Sequence, residues 1–322
     1  MIRKKIIIDT DPGVDDAMAI QLAINSDEFE ILGLTTVFGN VSVELATINA
    51  LRLIHIANQN IPVAVGAADP LRGKFEGGAP TVHGDDGQGN TWHKKSPLLP
   101  LQLSAAGFIV QQVLKFPKQV TLIAIGPLTN LALALQLNPS IAELVNEVII
   151  MGGNAFCPGN VTPAAEANIF SDPEAADMVF GTNWPVTMVG LDVTHKVFMH
   201  NSVLEKIAEH KTPLNKYVAS TFPFYRDFFV KANKIEGIFV HDSTAIMYCL
   251  KPAFLKTIQC PVRVETHDGI SKGKTWPSLG NADNESGVLL KAWNGRPNIN
   301  VCVAVDGDAV IDSITQRLTK QY

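Results

Sequence analysis

Four carboxylates fall within eight residues in Asp9-Thr10-Asp11-Pro12-Gly13-Val14-Asp15-Asp16, directly after the apolar, strand-like run Ile6-Ile7-Ile8. One aspartate at a helix start is an ordinary cap. Four at this density repel one another, and in a mostly buried position they require a cation or a dense set of hydrogen-bond donors. Oxygen-only ligands favour a hard ion, Ca²⁺ or Mg²⁺, over zinc. The spacing excludes an EF-hand: counted from Asp9, Val14 stands where the loop glycine belongs and Ile20 where the bidentate glutamate must sit. A strand ending in Asp-x-Asp also suits an Mg²⁺-dependent aspartate-nucleophile phosphatase. No later strand is followed by the lysine and acidic pair that such an enzyme needs.

Other polar clusters sit at the ends of apolar runs. They are Val37-Phe38-Gly39-Asn40, Ile125-Gly126-Pro127-Leu128-Thr129-Asn130 and Met151-Gly152-Gly153. Glycine there lets the backbone turn sharply toward a ligand and frees strand-end carbonyls, such as that of Ile125, to face a cation. Asn160, Glu166 and Asn168 form a set of neutral amides with one carboxylate, which suits a polyhydroxylated ligand such as a sugar. In Val240-His241-Asp242 a titratable ring stands beside another potential ligand carboxylate.

These residues must be carried by elements that alternate. Lys5 to Asp9 reads as a buried strand, Asp15 to Asn25 as a helix and Ile31 to Val37 as the next strand, which is a βαβ unit. Strands at Pro62 to Val65, Val120 to Ile125, Glu147 to Met151 and Val186 to Val189 continue it, with helices at Val43 to Asn58, Ala105 to Lys115, Leu128 to Leu137 and Asp172 to Gly181. The pattern predicts an α/β fold: an open, mostly parallel Rossmann-like sheet with helices on both faces and ligands at the carboxyl ends of the strands. Residues 201–257 read as mainly helical, with an aromatic-rich stretch from Phe222 to Phe229. Asp69 to Pro100, which holds His83-Gly84-Asp85-Asp86-Gly87, is either an active-site loop or a surface excursion.

The chain has 322 residues, 46% of them hydrophobic and only 18% charged, so much of it is buried. With no repeat or low-complexity linker, a single domain over residues 1–322 is expected. The net charge of -5 and the lack of a dense Lys/Arg block argue against nucleic acid and for a small-molecule partner. No apolar stretch is long enough for a membrane span and no signal peptide is read at the start. Cys157, Cys249, Cys260 and Cys302 are widely spaced, as suits a reduced, cytoplasmic protein.

The motifs around Asp9 to Ala17, Thr36 to Asn40, Gly126 to Asn130, Met151 to Gly153, Ala165 to Asn168 and Val240 to Asp242 together resemble the nucleoside hydrolases, and more narrowly the broad-specificity ribonucleoside hydrolases. The resemblance runs in order from residue 5 to about residue 306. It implies hydrolysis of the N-glycosidic bond of purine and pyrimidine ribonucleosides to ribose and free base. It also implies Ca²⁺ on Asp11, Asp16, Asp242 and the Ile125 carbonyl, with water and two ribose hydroxyls completing the shell. Asp11 would be the general base, Asp15 the partner of the ribose 2′-hydroxyl, and Asn40, Asn160, Glu166 and Asn168 the holders of the remaining hydroxyls, with Met151 also in the substrate site. His241 would be the acid or orienter at the departing base, with His83 and Tyr225 in the base pocket. Similar enzymes are often homotetramers or dimers and serve nucleoside salvage. The sequence departs from the family at Ala167, where Phe is usual, and at Asp85-Asp86, where Glu-Ser is commoner. Beside this reading stand the phosphatase and a nucleoside-binding protein without turnover.

Overall fold

The computed structural model describes residues 3–279 and 291–320. The first strand, β1 (Lys4–Thr10), alternates its side chains between two apolar layers: Ile6 and Ile8 pack in one core and Ile7 in the other. Burial on both faces is what a parallel sheet covered by helices demands. β2 (Phe29–Thr36), β3 (Val63–Val65), β4 (Val120–Ala124), β5 (Glu147–Met151) and β6 (Val186–Val189) follow in parallel register. Two short strands, β7 (Phe198–His200) and β8 (Gly237–Phe239), pair antiparallel beside the sheet. β9 (Leu255–Cys260) is the antiparallel edge, β10 (Val262–Val264) and β11 (Thr275–Pro277) form a hairpin, and β12 (Ile299–Val305) fills the position between β6 and β9.

The eight-stranded order is β3-β2-β1-β4-β5-β6-β12-β9. From β1 the chain winds outward to β2 and β3, then returns to place β4 on the other side of β1. The crevice at the carboxyl ends of β1 and β4 is therefore the topological switch point, where open α/β sheets bind ligands.

The expected elements are present with ends shifted by a residue or two. The helix expected from Asp15 runs Val14–Ile24, and the one expected to Asn58 stops at Ile56. Residues 201–257 are mainly helical, with Asn201–Ala208, Pro213–Asn233 and His241–Leu250 interrupted by β8. Among the described residues no helix is long and apolar enough to cross a membrane. None of the four cysteines is in a disulfide.

The Asp69 to Pro100 segment is in part an inward-facing loop. It contains the short helix Pro80–His83, and His83, Asp86 and Gln88 are buried. The Asp86 carboxylate accepts backbone N–H groups of Gln88, Asn90 and Trp92, so the residue that breaks the family pattern organises its own turn. Gln88 donates from Nε2 to the carbonyls of Pro12 (3.0 Å) and Gly13 (2.7 Å), and it accepts from the Tyr217 hydroxyl. Asn49 also donates to Pro12. The loop, the acidic turn and the Pro213–Asn233 helix are thereby joined by buried bonds, and none of these links announces itself in the linear sequence.

Candidate active site

The acidic turn leaves β1 and enters the Val14–Ile24 helix, so Asp15 and Asp16 lie in its first turn, where the N-terminal dipole favours negative charge. Asp16 also satisfies the backbone at the helix start: its Oδ2 accepts from Gly13 N (2.9 Å) and from Asn40 Nδ2 (3.1 Å), and its Oδ1 accepts from the Thr10 hydroxyl (2.6 Å). Asp242 occupies the first turn of the His241–Leu250 helix. Two helix N-termini thus converge, and Asp15, Asp16 and Asp242 each offer an oxygen within 4.8 Å of one another.

Asp11 lies beside this trio. Its Oδ2 accepts from Asn40 N (2.6 Å), while its buried Oδ1 has no hydrogen-bond partner. The turn glycines make room for the carboxylate: a Cβ on Gly126 would stand 2.7 Å from Oδ1, and one on Gly39 would collide with Oδ2. Burial, then repulsion from Asp16, holds the Asp11 carboxyl well above its ordinary value. Asp242 is raised in the same way, by burial and then by Asp15 and Asp16. Burial pushes Asp15 and Asp16 up to about 6. Such a set is stable when charge-neutralised, by protons or by a cation. Its donors are all oxygens and one of them lacks a partner, so the residues fit a hard metal ion. The Ile125 carbonyl borders the same cavity and accepts from Asn168 Nδ2 at 3.1 Å.

Asp9, the first carboxylate of the run, plays another part. It accepts from the Thr35 hydroxyl (2.5 Å) and Asn130 Nδ2 (2.8 Å), while Asn130 also donates to the Thr36 carbonyl. Asp9 therefore ties together the strand ends that aim the other three acids.

Above the carboxylates lies a cavity of about 440 Å³. Asp15, Asn40, His83, Met151, Asn160, Glu166, Asn168, Tyr225, His241 and Asp242, all named from the sequence, line it together with the Ile125 carbonyl; Asp11 and Asp16 lie beside or beneath. One end is polar. There Glu166 is fixed by backbone N–H groups of Gly153, Asn168 and Ile169, and Asn160 accepts from Ala167 N. The other end is aromatic, with His83 stacked on Tyr225 at 5.3 Å and Phe228, Phe229 and Phe239 nearby. Phe239 and His195 were not singled out from the sequence, since nothing in the chain links them to a ligand before β8 folds against the sheet. The larger cavity of about 600 Å³ at Phe29, Ile31 and Ile56 lies toward the amino ends of the strands, away from this chemistry.

Burial disfavours the charged form of both His83 and His241. Burial pushes His83 down to about 4, and its Nδ1 accepts from Val14 N at 3.1 Å, so the 3.9 Å approach to Asp15 is no ion pair. Burial likewise pushes His241 down to about 3, while its Nδ1 pairs with the Thr194 hydroxyl at 2.8 Å, which fixes the ring. Tyr225 hydrogen-bonds Asp15 from the aromatic side.

A buried carboxylate cluster at the switch point of a parallel sheet, between a polar end and an aromatic end, suits a polyhydroxylated ligand that carries an aromatic group. The family model for inosine-uridine preferring nucleoside hydrolases matches residues 6–312, and the chain belongs to that family. It is 41% identical to a probable uridine nucleosidase of Arabidopsis thaliana, over 98% of each chain. It is 39% identical to the inosine-uridine preferring nucleoside hydrolase of Leishmania major, over 84% of this chain and 87% of that one. Its fold superimposes on a plant nucleoside hydrolase with a TM-score of 0.94 and 40% identity, covering 99% of each chain. The enzyme hydrolyses the N-glycosidic bond of ribonucleosides.

Proposed function

We propose that this chain is a Ca²⁺-dependent hydrolase of both purine and pyrimidine ribonucleosides, acting as one domain in the cytoplasm in nucleoside salvage, as a tetramer or dimer. The observation that carries the Ca²⁺ reading is the buried trio Asp15, Asp16 and Asp242 with the unpartnered Asp11 Oδ1 beside it. Asp11, Asp16, Asp242 and the Ile125 carbonyl would hold the ion, with Asp15 turned to the ribose 2′-hydroxyl. Bound there, Ca²⁺ supplies charge neutralisation and a more acidic water.

The residues of the chain do the rest. Asp11 takes the proton of the attacking water. Asn40, Asn160, Glu166 and Asn168 hold sugar hydroxyls, so that contacts with nonreacting atoms place the anomeric carbon against that water. As the bond to the base lengthens, positive charge grows on the ribosyl ring and the carboxylates stabilise it. His241 meets the departing base, and His83, Met151 and Tyr225 wall the substrate. Relatives named for uridine and for inosine with uridine support the dual base range, and four unpaired cysteines suit a reducing compartment.

The test is incubation with inosine, uridine and cytidine in phosphate buffer, with and without chelator, followed by product analysis. Free base and ribose are expected, and chelator should stop their release. Ribose 1-phosphate would refute attack by water. Intact nucleoside held at equilibrium would favour a binding protein, and phosphate release from nucleotides with a trapped phosphoaspartate would favour the phosphatase.

A pH effect on stability follows from the raised carboxyls. Without metal, Asp15 and Asp16 titrate at about 6 in the folded chain against 3.8 ordinarily. Folded protein then keeps protons that the unfolded chain releases, so their contribution is full below about pH 4 and lost as pH rises through about 6. Ca²⁺ needs the ionised forms, so its stabilisation grows over the same window. His83 and His241, held down at about 4 and about 3, act in the opposite sense over the same range. The carboxyl share is therefore read by difference: in thermal melts with chelator, Asp15→Asn should gain Tm relative to wild type as pH rises from 4.5 to about 7. Added Ca²⁺ should raise Tm more at the upper end, and an equal rise at both ends would remove the cluster as its site.

A further inference from the structure

The sugar end of the active-site cavity is not closed. Asn40, Ala79, Val161, Ala167 and Asn168 line both that cavity and a second one of about 420 Å³, which also touches Asp11. None of the aromatic residues around His241 and Tyr225 reaches the second cavity, so it adjoins the polar end alone. At the shared boundary stands Ala167, whose single methyl leaves the passage open.

In a β-ribonucleoside the base and the 5′ carbon leave the ring from opposite sides of the ring oxygen, both on the face away from the 2′,3′-diol. With the diol at the carboxylates and the base among the aromatic rings, the 5′ arm is directed to the polar end, where the second cavity begins. Half-buried Phe75 and Phe170 supply apolar wall there. The cations at its margin are already engaged: Lys74 with Asp69 at 2.6 Å, Lys272 with Asp268 at 2.9 Å, and Arg72 with Glu174 at 3.7 Å. Glu76 adds negative charge. A 5′-phosphate would meet cations already paired with carboxylates and the carboxylate of Glu76, whereas a neutral substituent meets aromatic surface.

The geometry points to a 5′-substituent subsite, so that substrates of this enzyme include ribonucleosides with a neutral thioether at C5′. This rests on the nucleoside-hydrolase reading of the adjoining site. The reaction is unchanged: water adds its hydroxyl to C1′, its proton goes to the departing base, and the C5′–S bond stays intact.

The experiment compares kcat/KM of the full chain on inosine, 5′-deoxy-5′-methylthioinosine and inosine 5′-monophosphate, in wild type, Ser171→Phe and Ser171→Ala. Ser171 lines the second cavity only, and its hydroxyl donates to the Ala167 carbonyl. The thioether forgoes the bonds that the polar end makes to a 5′-hydroxyl, so in wild type it is expected to be slower than inosine by less than about a thousandfold. Ser171→Phe should lower it at least about tenfold further while inosine changes less than about threefold. Ser171→Ala, which removes the hydroxyl without filling the cavity, should leave both as in wild type. Cleavage of inosine with the thioether slower by about a thousandfold or more would overturn the subsite. So would equal losses on both substrates in Ser171→Phe, or monophosphate preferred to thioether. Failure to cleave inosine at all would instead overturn the hydrolase reading itself.

Discussion

Asp11→Asn is expected to abolish turnover of inosine and uridine while leaving the fold intact. Proton transfer by a positioned base contributes about 10²- to 10⁴-fold, and the same substitution withdraws one negative charge from the metal cluster, so the combined loss should exceed that range. Stability should move the other way. Asp11 is buried, is repelled by Asp16 and carries an oxygen without a partner, so in chelator the neutral, isosteric amide should melt at the same temperature as wild type or higher. Steady-state kinetics at saturating Ca²⁺ and melts in chelator check both halves. Near-normal turnover would remove Asp11 from the base role, and a large drop in Tm would show that its charge is compensated inside the ion-free fold.

The second large effect is expected at His241. The ring lines the cavity at its aromatic end, and Thr194 fixes its orientation through Nδ1. A group that assists departure of the base acts mainly in the transition state, so His241→Ala should lower kcat more than it raises KM. The loss should reach about 10²- to 10⁴-fold on inosine, whose base leaves with a proton. It should be smaller on p-nitrophenyl riboside, whose leaving group needs none. The competing role is orientation of Asp242, the next residue in the same helix turn. In that case both substrates would lose equally and Ca²⁺ would bind more weakly. Equal losses at saturating Ca²⁺ would sink the leaving-group role.

Much of this site was legible in the linear chain because its chemistry is local. The run from Asp9 to Asp16 crowds carboxylates where a buried strand meets a helix, and no tertiary information is needed to see that such charges require a partner. The alternation of strand and helix patterns determined the parallel sheet, and with it the rule that the chemistry lies after the strands. What the chain could not show was how the carboxylates divide their work. Asp9 looks like its neighbours in sequence, yet it is bound to Thr35 and Asn130 and braces the strand ends. Asp242 is more than two hundred residues from Asp16 and joins it only because two helix N-termini converge. Gln88 and Tyr217 are unremarkable letters until a loop and a helix bring them over the acidic turn. The opening at Ala167 onto a second cavity likewise depends on where the loop around Phe75 lies. Sequence periodicity records which face of an element is buried, but long-range contacts are chosen by the packing of whole elements, and only that packing sets which buried polar groups find partners and which, like Asp11 Oδ1, are left for a ligand.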